Sequence, residues 1–357
     1  MSNIKKSLSS DNNNKNNSKN TGNPIKNFFN NLFKPFDEDK EETTLELSKK
    51  SSEEIKNKNS INSNNKNKNE IKTAIYDSKI LPFSLKEWED IFRSNSPDNI
   101  NSERLIYSLK LGINPKIRAK VWLLLSHSFS HYTKIKNQNI YIDLLKKNDD
   151  YYEDLIKRDI NRTLLNKTKK EIIKVDSKRL FNILKAYCII DKEIGYCQGT
   201  NSIVATLMVI IGNNDELVFW TFYQLMINFN WRDFFKNNTP KLFRMTDILK
   251  NKFKNKLKDL YDYFKQINFV DYLDILFTHF FLTIFTYNVP IELSARLFDL
   301  FWNFEEKVIL DTIINIIFLQ KEKIKKKNTE ELIIYLKNDL VFDTVAEYGV
   351  DYIIKMI

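Results

Sequence analysis

Glycine and proline are scarce in this chain, six and seven in 357 residues. So few residues able to open tight turns argue against a turn-rich β-sandwich or barrel and favour long helices. Cysteine is scarcer still: Cys188 and Cys197 form neither a disulfide framework nor a zinc-ligand spacing, which fits a reducing intracellular setting. Of the three histidines, His127 and His131 stand four apart as helical zinc ligands do, but Ser128 occupies the place where a metalloprotease carries its glutamate. No metal site is therefore expected. Long hydrophobic runs are missing too: the stretch from Ser202 to Ile211 is too short to span a bilayer, and that from Phe280 to Phe301 is broken by Asn288, Pro290 and Glu292. The amino terminus has no secretory hydrophobic core, and Ser2 stands where N-myristoylation needs glycine. A soluble protein is expected.

What is present is a chain with 42% hydrophobic and 13% aromatic residues, long enough for one large domain or two ordinary ones. Its net charge of +10 brings nucleic acid and anionic membrane surfaces into consideration. Residues 1–72 hold 14 Lys and 10 acids, so +4 falls there and the remaining +6 is spread thinly over 285 residues. No RNA-binding aromatic motif, zinc finger or basic helix accompanies it, and the run from Lys321 to Lys327 reads as a solvated helix end. Nucleic acid is not expected as a partner. Residues 1–75 are dominated by Asn, Lys and Ser, too polar to offset their ordering entropy, and are expected to be disordered. The aromatic island from Asn27 to Phe36 is either a partner-docking or membrane-touching element or incidental.

A helical domain is expected over 80–357. Ser84 with Glu87 makes a capping box ahead of Trp88, and Asn114-Pro115 supplies an N-cap and an N1 proline for a helix running to about Phe129. Asp149 caps a helix to about Ile160. Others are expected from Ser177 to Ile190, Asn201 to Ile211, Asp215 through Leu225, Thr246 to Gln266, Asp271 to Phe285 and Pro290 to Phe304, with three more towards Ile357. Strand-like alternation is nearly absent, and no fixed-period repeat supports a solenoid.

Two segments carry side chains suited to phosphoryl-transfer chemistry. Ile156 and Asp159 share one helix face, and Arg162 lies a turn further on near the helix end, free to project. An arginine there neutralises charge building on a transferring phosphoryl group. In Gly195-Tyr196-Cys197-Gln198-Gly199, two of the six glycines bracket three residues between helices. The loop is expected to be extended, with Tyr196 and Gln198 on one side and Cys197 turned inward; Gln198 is suited to orient a water. A third string places Arg118 and Trp122 four apart on one helix, where they are expected to brace the Arg162 segment by stacking and by pairing with Asp159.

In this order and separation the three strings resemble the R-x-x-x-W, I-x-x-D-x-x-R and Y-x-Q motifs of the TBC-domain family of Rab GTPase-activating proteins. Gly112-Ile113-Asn114-Pro115, Arg162-Thr163, Phe281-Leu282-Thr283-Ile284-Phe285, and Pro290 through Arg296 to Asp299 resemble further family stretches, so the likeness spans about 105–320. The resemblance implies an all-α, two-lobed helical domain that is not itself an enzyme. It would supply Arg162 and Gln198 in trans to a bound Rab-type GTPase, with Arg118, Trp122, Ile156, Asp159 and Tyr196 in support. GTP and Mg²⁺ would belong to the GTPase, with no cofactor of this chain's own, and the setting would be cytoplasmic, peripheral on endomembranes, in vesicle traffic. Two departures stand out: Leu164-Leu165 where the family has an aromatic and a proline, and Thr200 where it has Met. Neither removes a finger; both bear on how the Arg162 loop is placed. The rival reading is a non-catalytic helical adaptor that binds a Rab or another trafficking partner.

Overall fold

The computed structural model describes residues 80–94 and 100–357. The disorder expected over 1–75, aromatic island included, lies outside the described residues. In chain order the elements are α1 (Leu85–Ser94), α2 (Ser102–Leu111), α3 (Pro115–Leu125), α4 (Ser128–Ile135), α5 (Ile140–Leu145) and α6 (Asp150–Ile160). A hairpin of β1 (Leu164–Asn166) and β2 (Ile172–Lys174) follows. Then come α7 (Ser177–Ile190), α8 (Thr200–Ile211), α9 (Asp215–Ile227), α10 (Pro240–Lys256), α11 (Lys258–Gln266), α12 (Leu273–Leu276) and α13 (Thr278–Thr283). The carboxy-terminal set is α14 (Ile291–Phe304), α15 (Glu306–Leu319), α16 (Lys321–Ile324), α17 (Thr329–Ile334), α18 (Leu340–Tyr348) and α19 (Val350–Lys355), with one wide π turn over Tyr335–Asp339.

Local chemistry sets several of the helix starts. At α1 the Glu87 N–H donates to Ser84 Oγ at 3.3 Å while the Ser84 N–H donates to the Glu87 carboxylate at 2.8 Å, the reciprocal capping box. Arg104 of α2 then donates to the same carboxylate at 2.9 Å. The Arg104 bond, with the Ser84 bonds behind it, lowers the Glu87 pKa to about 2. Asn114 accepts from the Lys116 N–H at 2.9 Å with Pro115 at N1, Asp149 caps α6, and Asp176 caps α7. Helix α9 begins where expected, but its cap is Asn214, one residue earlier than the Asp215 start.

Three expected helices are interrupted. The one starting at Pro115 stops at Leu125, because His127 is left-handed at φ 58°, and the chain restarts as α4. The segment from Thr246 to Gln266 is two helices broken at Leu257, and α10 itself starts earlier, at Pro240. That break lets α11 fold back so that Phe264 stacks on Phe253 with centroids 5.4 Å apart and meets Phe269 at 5.0 Å. The segment from Asp271 to Phe285 splits into short turns that end where Ile284 and Phe285 both take φ 53°. A β-branched residue there is strained, and packing must over-determine it. Both side chains are buried, Phe285 stacks on Phe280 at 4.1 Å, and Ser294 donates to the Phe285 carbonyl at 2.5 Å.

The helices pack in two lobes. In the first, α6 to α9 lie side by side, with α4 on α9 and α5 on α7. In the second, α10 carries α11, α12 and α15, and α15 packs on α14, α18 and α19. Helix α14 joins them through contacts with α2, α3 and α8. Its seam with α3 is aromatic: Trp122 lies 5.1 Å from Phe298 and 6.2 Å from Trp302.

The sequence reading missed the hairpin. Leu164–Asn166 pairs antiparallel with Ile172–Lys174, Leu165 opposite Ile173, and Asn166 also bridges in parallel to Pro290. Leu165 is buried, so the departure at this position is used as a hairpin core residue. Strands of three residues carry too short an alternation to be read from pattern.

Candidate functional site

The site is built where α6 ends. Ile156 is fully buried and fixes the helix against the core, while Asp159 lies almost buried at its last turn. The backbone then tightens, with the Thr163 N–H donating to the Ile160 carbonyl at 2.9 Å, and this turn swings Arg162 outward. The Arg162 side chain is 45% exposed, and its Nη2 donates to Asp159 Oδ1 at 2.5 Å. The other oxygen of the same carboxylate, Oδ2, accepts from the Tyr196 hydroxyl at 2.7 Å. One buried carboxylate therefore holds both segments, the arginine on one oxygen and the residue two before Gln198 on the other.

Burial, and then the adjacent Asp159 carboxylate, raise the Tyr196 pKa well above the ordinary tyrosine value. The phenol accordingly stays a donor across the physiological range, which is what a carboxylate needs from it.

A second bridge runs beside the first. Asn201 at the start of α8 donates through Nδ2 to Thr163 Oγ1 at 2.7 Å, and Thr163 Oγ1 donates to the Asp159 carbonyl at 2.7 Å. The Asn201 Oδ1 turns back to accept from the Gly199 N–H at 3.0 Å. Asn201 was read from sequence only as a helix start; its tie to Thr163 becomes visible once α6 and α8 are packed. Thr200, the second departure, donates from Oγ1 to the Cys197 carbonyl at 2.6 Å and closes the turn after Gln198.

Gly195 is required by contact as well as by backbone. Its φ is 61°, and a Cβ added there would sit 2.1 Å from Cζ of Tyr152 on α6. The missing side chain lets the glutamine loop lie directly on α6, the helix that leads into Arg162. Behind the loop, the Gly195 N–H donates to the Asp191 carbonyl at 2.8 Å, and the Asp191 carboxylate is held by Tyr187 at 2.6 Å and Arg232 at 2.8 Å.

The strained turn after α13 reaches the same place. Thr286 and Ser202 share a hydroxyl hydrogen bond of 2.9 Å, burial raises the pKa of the half-buried Tyr287 against the lowering pull of the Arg162 charge, and Asn288 accepts from Asn166 at 3.4 Å.

Gln198 is half-buried, and its carboxamide makes no hydrogen bond to the described residues. Within the loop, Tyr196 is the inward residue. Cys197, expected to fill the core, is instead half-buried, with Sγ 3.8 Å from the Ile194 carbonyl. The larger ring gains more from burial, and its hydroxyl finds a partner inside.

Arg118 and Trp122 do not pair with Asp159. Arg118 Nε donates to Asp299 of α14 at 3.1 Å and its Nη2 to the Ile113 carbonyl at 2.9 Å, while the Trp122 indole donates to Asp299 Oδ1 at 2.8 Å. Arg296 completes the cluster, reaching Asp299 at 3.3 Å and the carbonyls of Leu109 and Lys110 at 2.9 and 2.8 Å. Asp299 is wholly buried, and that burial pushes its carboxyl upward against the lowering pull of Arg118, Trp122 and Arg296. A carboxylate so placed must collect donors from every side, and it takes the ones on α3. Arg118 and Trp122 therefore clamp the two lobes and act on the Arg162 segment only through the scaffold. His131, four residues after His127, packs on Trp220 with centroids 4.8 Å apart.

Among the described residues no helix is long and apolar enough to cross a membrane. The family model for the Rab-GTPase-TBC domain matches residues 115–325. The human ecotropic viral integration site 5 protein homolog is 32% identical over 61% of this chain and 25% of its own length. The GTPase-activating protein GYP5 of Saccharomyces cerevisiae is 28% identical over 69% of this chain and 26% of its own. The chain thus spans about a quarter of the length of these curated relatives. Among solved structures, the fold is similar to the Chlamydomonas flagellar RabGAP TBC domain, with TM-score 0.63 and 19% identity over 76% of this chain and 89% of that one. It is also similar to the Ypt/Rab-GAP domain of Gyp1p, with TM-score 0.58 and 19% identity over 76% and 97%. Helical architecture, motif order and the profile match agree, and the chain belongs to the Rab-GTPase-TBC domain family.

Proposed function

We propose that this chain is a GTPase-activating protein for a Rab-type small GTPase, and that residues 80–357 form the acting unit. The carrying observation is the Asp159 carboxylate, which holds Arg162 on one oxygen and the glutamine loop, through Tyr196, on the other. Arg162 enters the nucleotide pocket of the bound GTPase, where its guanidinium meets the negative charge that builds on the bridging oxygen and the β-phosphate of the departing GDP as the bond to the γ-phosphorus breaks. Gln198 accepts a hydrogen bond from the attacking water through its carbonyl and donates through its amide, aligning the water in line with the γ-phosphorus. GTP and Mg²⁺ come with the GTPase; the chain brings no cofactor and completes another protein's active site. The cellular setting that follows is the cytoplasmic face of endomembranes, in vesicle traffic.

Single-turnover hydrolysis across a panel of purified, GTP-loaded Rab GTPases tests this. At least one member is expected to accelerate, by roughly 10³ or more. Arg162→Ala is expected to remove that acceleration with the fold intact, and Arg162→Lys to restore little, since a point charge does not replace the planar fork. Full activity in Arg162→Ala and in Gln198→Ala would refute the mechanism. Trapping with GDP and aluminium fluoride separates an activator, which binds that state more tightly than the GTP-analogue state, from an adaptor, which binds both alike.

A further inference from the structure

The hairpin that follows Arg162 has no part in the chemistry above, yet it is chemically distinctive. From Arg162 to Lys174 the chain carries five basic residues, Arg162, Lys167, Lys169, Lys170 and Lys174, against the single acid Glu171. All five are exposed. Leu165 and the half-buried Ile173 oppose each other on the inward face. Alternation then places Ile172 and Lys174 on the outward face, where Ile172 is 52% exposed. An exposed isoleucine flanked by lysines is the composition of a small contact patch.

The hairpin is also held still. Asn166 bridges to Pro290 and donates to Asn288, and at the tip Lys169 Nζ reaches Asp339 of the π turn at 2.6 Å. Thr168 Oγ1 accepts from the N–H groups of Lys170 and Glu171 at 3.3 and 3.1 Å, which fixes the turn. A patch held at both ends costs little ordering entropy when it is covered.

We propose that the exposed rim of this hairpin, Ile172 and Lys174 on its outward face with Lys170 and the Glu171-paired Lys167 at its turn, is a docking rim that selects the GTPase. The rim fits a GTPase whose surface beside the nucleotide pocket carries carboxylates around an apolar side chain. The inference rests on the GTPase-activating reading and adds the recognition chemistry beside the arginine. Its grounds are the excess of positive charge and direct chain continuity with Arg162, one residue before β1 being Thr163. Lysines on such a rim steer encounter and lower KM; they do not enter the phosphoryl-transfer step.

The test uses the full chain and whichever Rab in the GTP-loaded panel it accelerates most. K167E/K170E/K174E is expected to lower kcat/KM at low salt by about 10-fold or more, through KM, and to flatten its dependence on ionic strength. Ile172→Ser is expected to raise KM several-fold, about what loss of one apolar contact gives. K254E/K258E/K265E makes the same change in net charge on α10 and α11, and should leave kcat/KM in place. Unchanged kcat/KM and salt slope in the hairpin variant, or an equal fall in the control, would overturn the rim. If the triple variant melts early, Lys170→Glu alone is read for the same salt slope. If no Rab is accelerated by the wild-type chain, the parent reading fails by itself, and the rim is then read as affinity for the panel loaded with a GTP analogue. A loss of binding confined to the hairpin variant supports it, and absence of binding by every member overturns both.

Discussion

The Asp159–Arg162 and Asp299–Arg118 pairs join the same two groups at 2.5 and 3.1 Å, yet the arginine side chain is 45% exposed in the first and 13% in the second. Asp299 is closed in: two arginines and an indole N–H converge on it, and the carbonyls of Leu109, Lys110 and Ile113 accept further guanidinium donors. Around Asp159 one oxygen is committed to Tyr196 and the other steadies an arginine whose remaining donors face outward. A charge pair closed on all sides is a strut between lobes. One left open on one side is a support for a reaching side chain, because donors not spent inside remain for a partner.

Removing one member of each pair is the strongest way to break this contrast. Asp299→Ala leaves Arg118 buried without its counter-charge and Arg296 with only the exposed Asp351 at 3.5 Å, and is expected to cost about 3–5 kcal/mol in a urea unfolding curve. Arg162→Ala, although expected to remove the proposed GTPase stimulation, should change stability by no more than about 1 kcal/mol, because its side chain is half in water. Equal destabilisation by the two would erase the distinction.

A buried titratable group with no counter-charge sharpens the contrast from another side. His279 is buried against Phe280, and burial, with Lys337 adding to it, lowers its pKa to about 4. An unfolded histidine takes up its proton near 6.5, so the native state binds fewer protons between these values. Its contribution is complete above pH 6.5 and is lost as the pH falls towards 4, by roughly 3 kcal/mol over the window. Melting temperatures at pH 4.5 and 7.5 should differ less in His279→Phe than in the wild type. An identical difference would mean that other groups carry the acid sensitivity.

Smaller effects are expected at the loop. Gly195→Ala must push the loop off Tyr152 and hold a left-handed residue, costing about 1–3 kcal/mol and lowering kcat by displacing Gln198. Combining it with Tyr152→Ala should recover part of both losses, and a purely additive double variant would show that the overlap is not the cause. Tyr196→Phe removes only the hydroxyl on Asp159 and is expected to cost about 1.5 kcal/mol, with kcat reduced more than KM is raised. If KM alone changed, Tyr196 would belong to docking and not to the placement of the glutamine.

The helix starts were legible in the sequence because caps are local. Ser84 with Glu87, Asn114 with Pro115, and Asp149 place hydrogen bonds within three residues of themselves. The interruptions were not. His127, Leu257 and Ile284 are residues of ordinary helix or strand preference, and nothing in the string around them marks the break. The hairpin was invisible for a related reason: three-residue strands have no period to detect, and β1 is completed by Pro290, more than a hundred residues away.

At the site, Arg162, Gln198, Asp159 and Tyr196 were singled out by motif and spacing, and the structure joins their two segments. Asn201, Thr163 and Tyr152 were missed as partners, since nothing in a linear string says that the end of α6 and the start of α8 lie side by side. Arg118 and Trp122 were found, but assigned to the wrong aspartate. The sequence by itself determined a glycine-poor, cap-punctuated helical chain with an arginine and a glutamine at helix ends, because composition, capping and turns act over a few residues. Only tertiary structure decided which carboxylate each arginine meets, where helices break, and that Gly195 lies on Tyr152. Those outcomes depend on which distant surfaces exclude water together, and that is a property of the packed molecule.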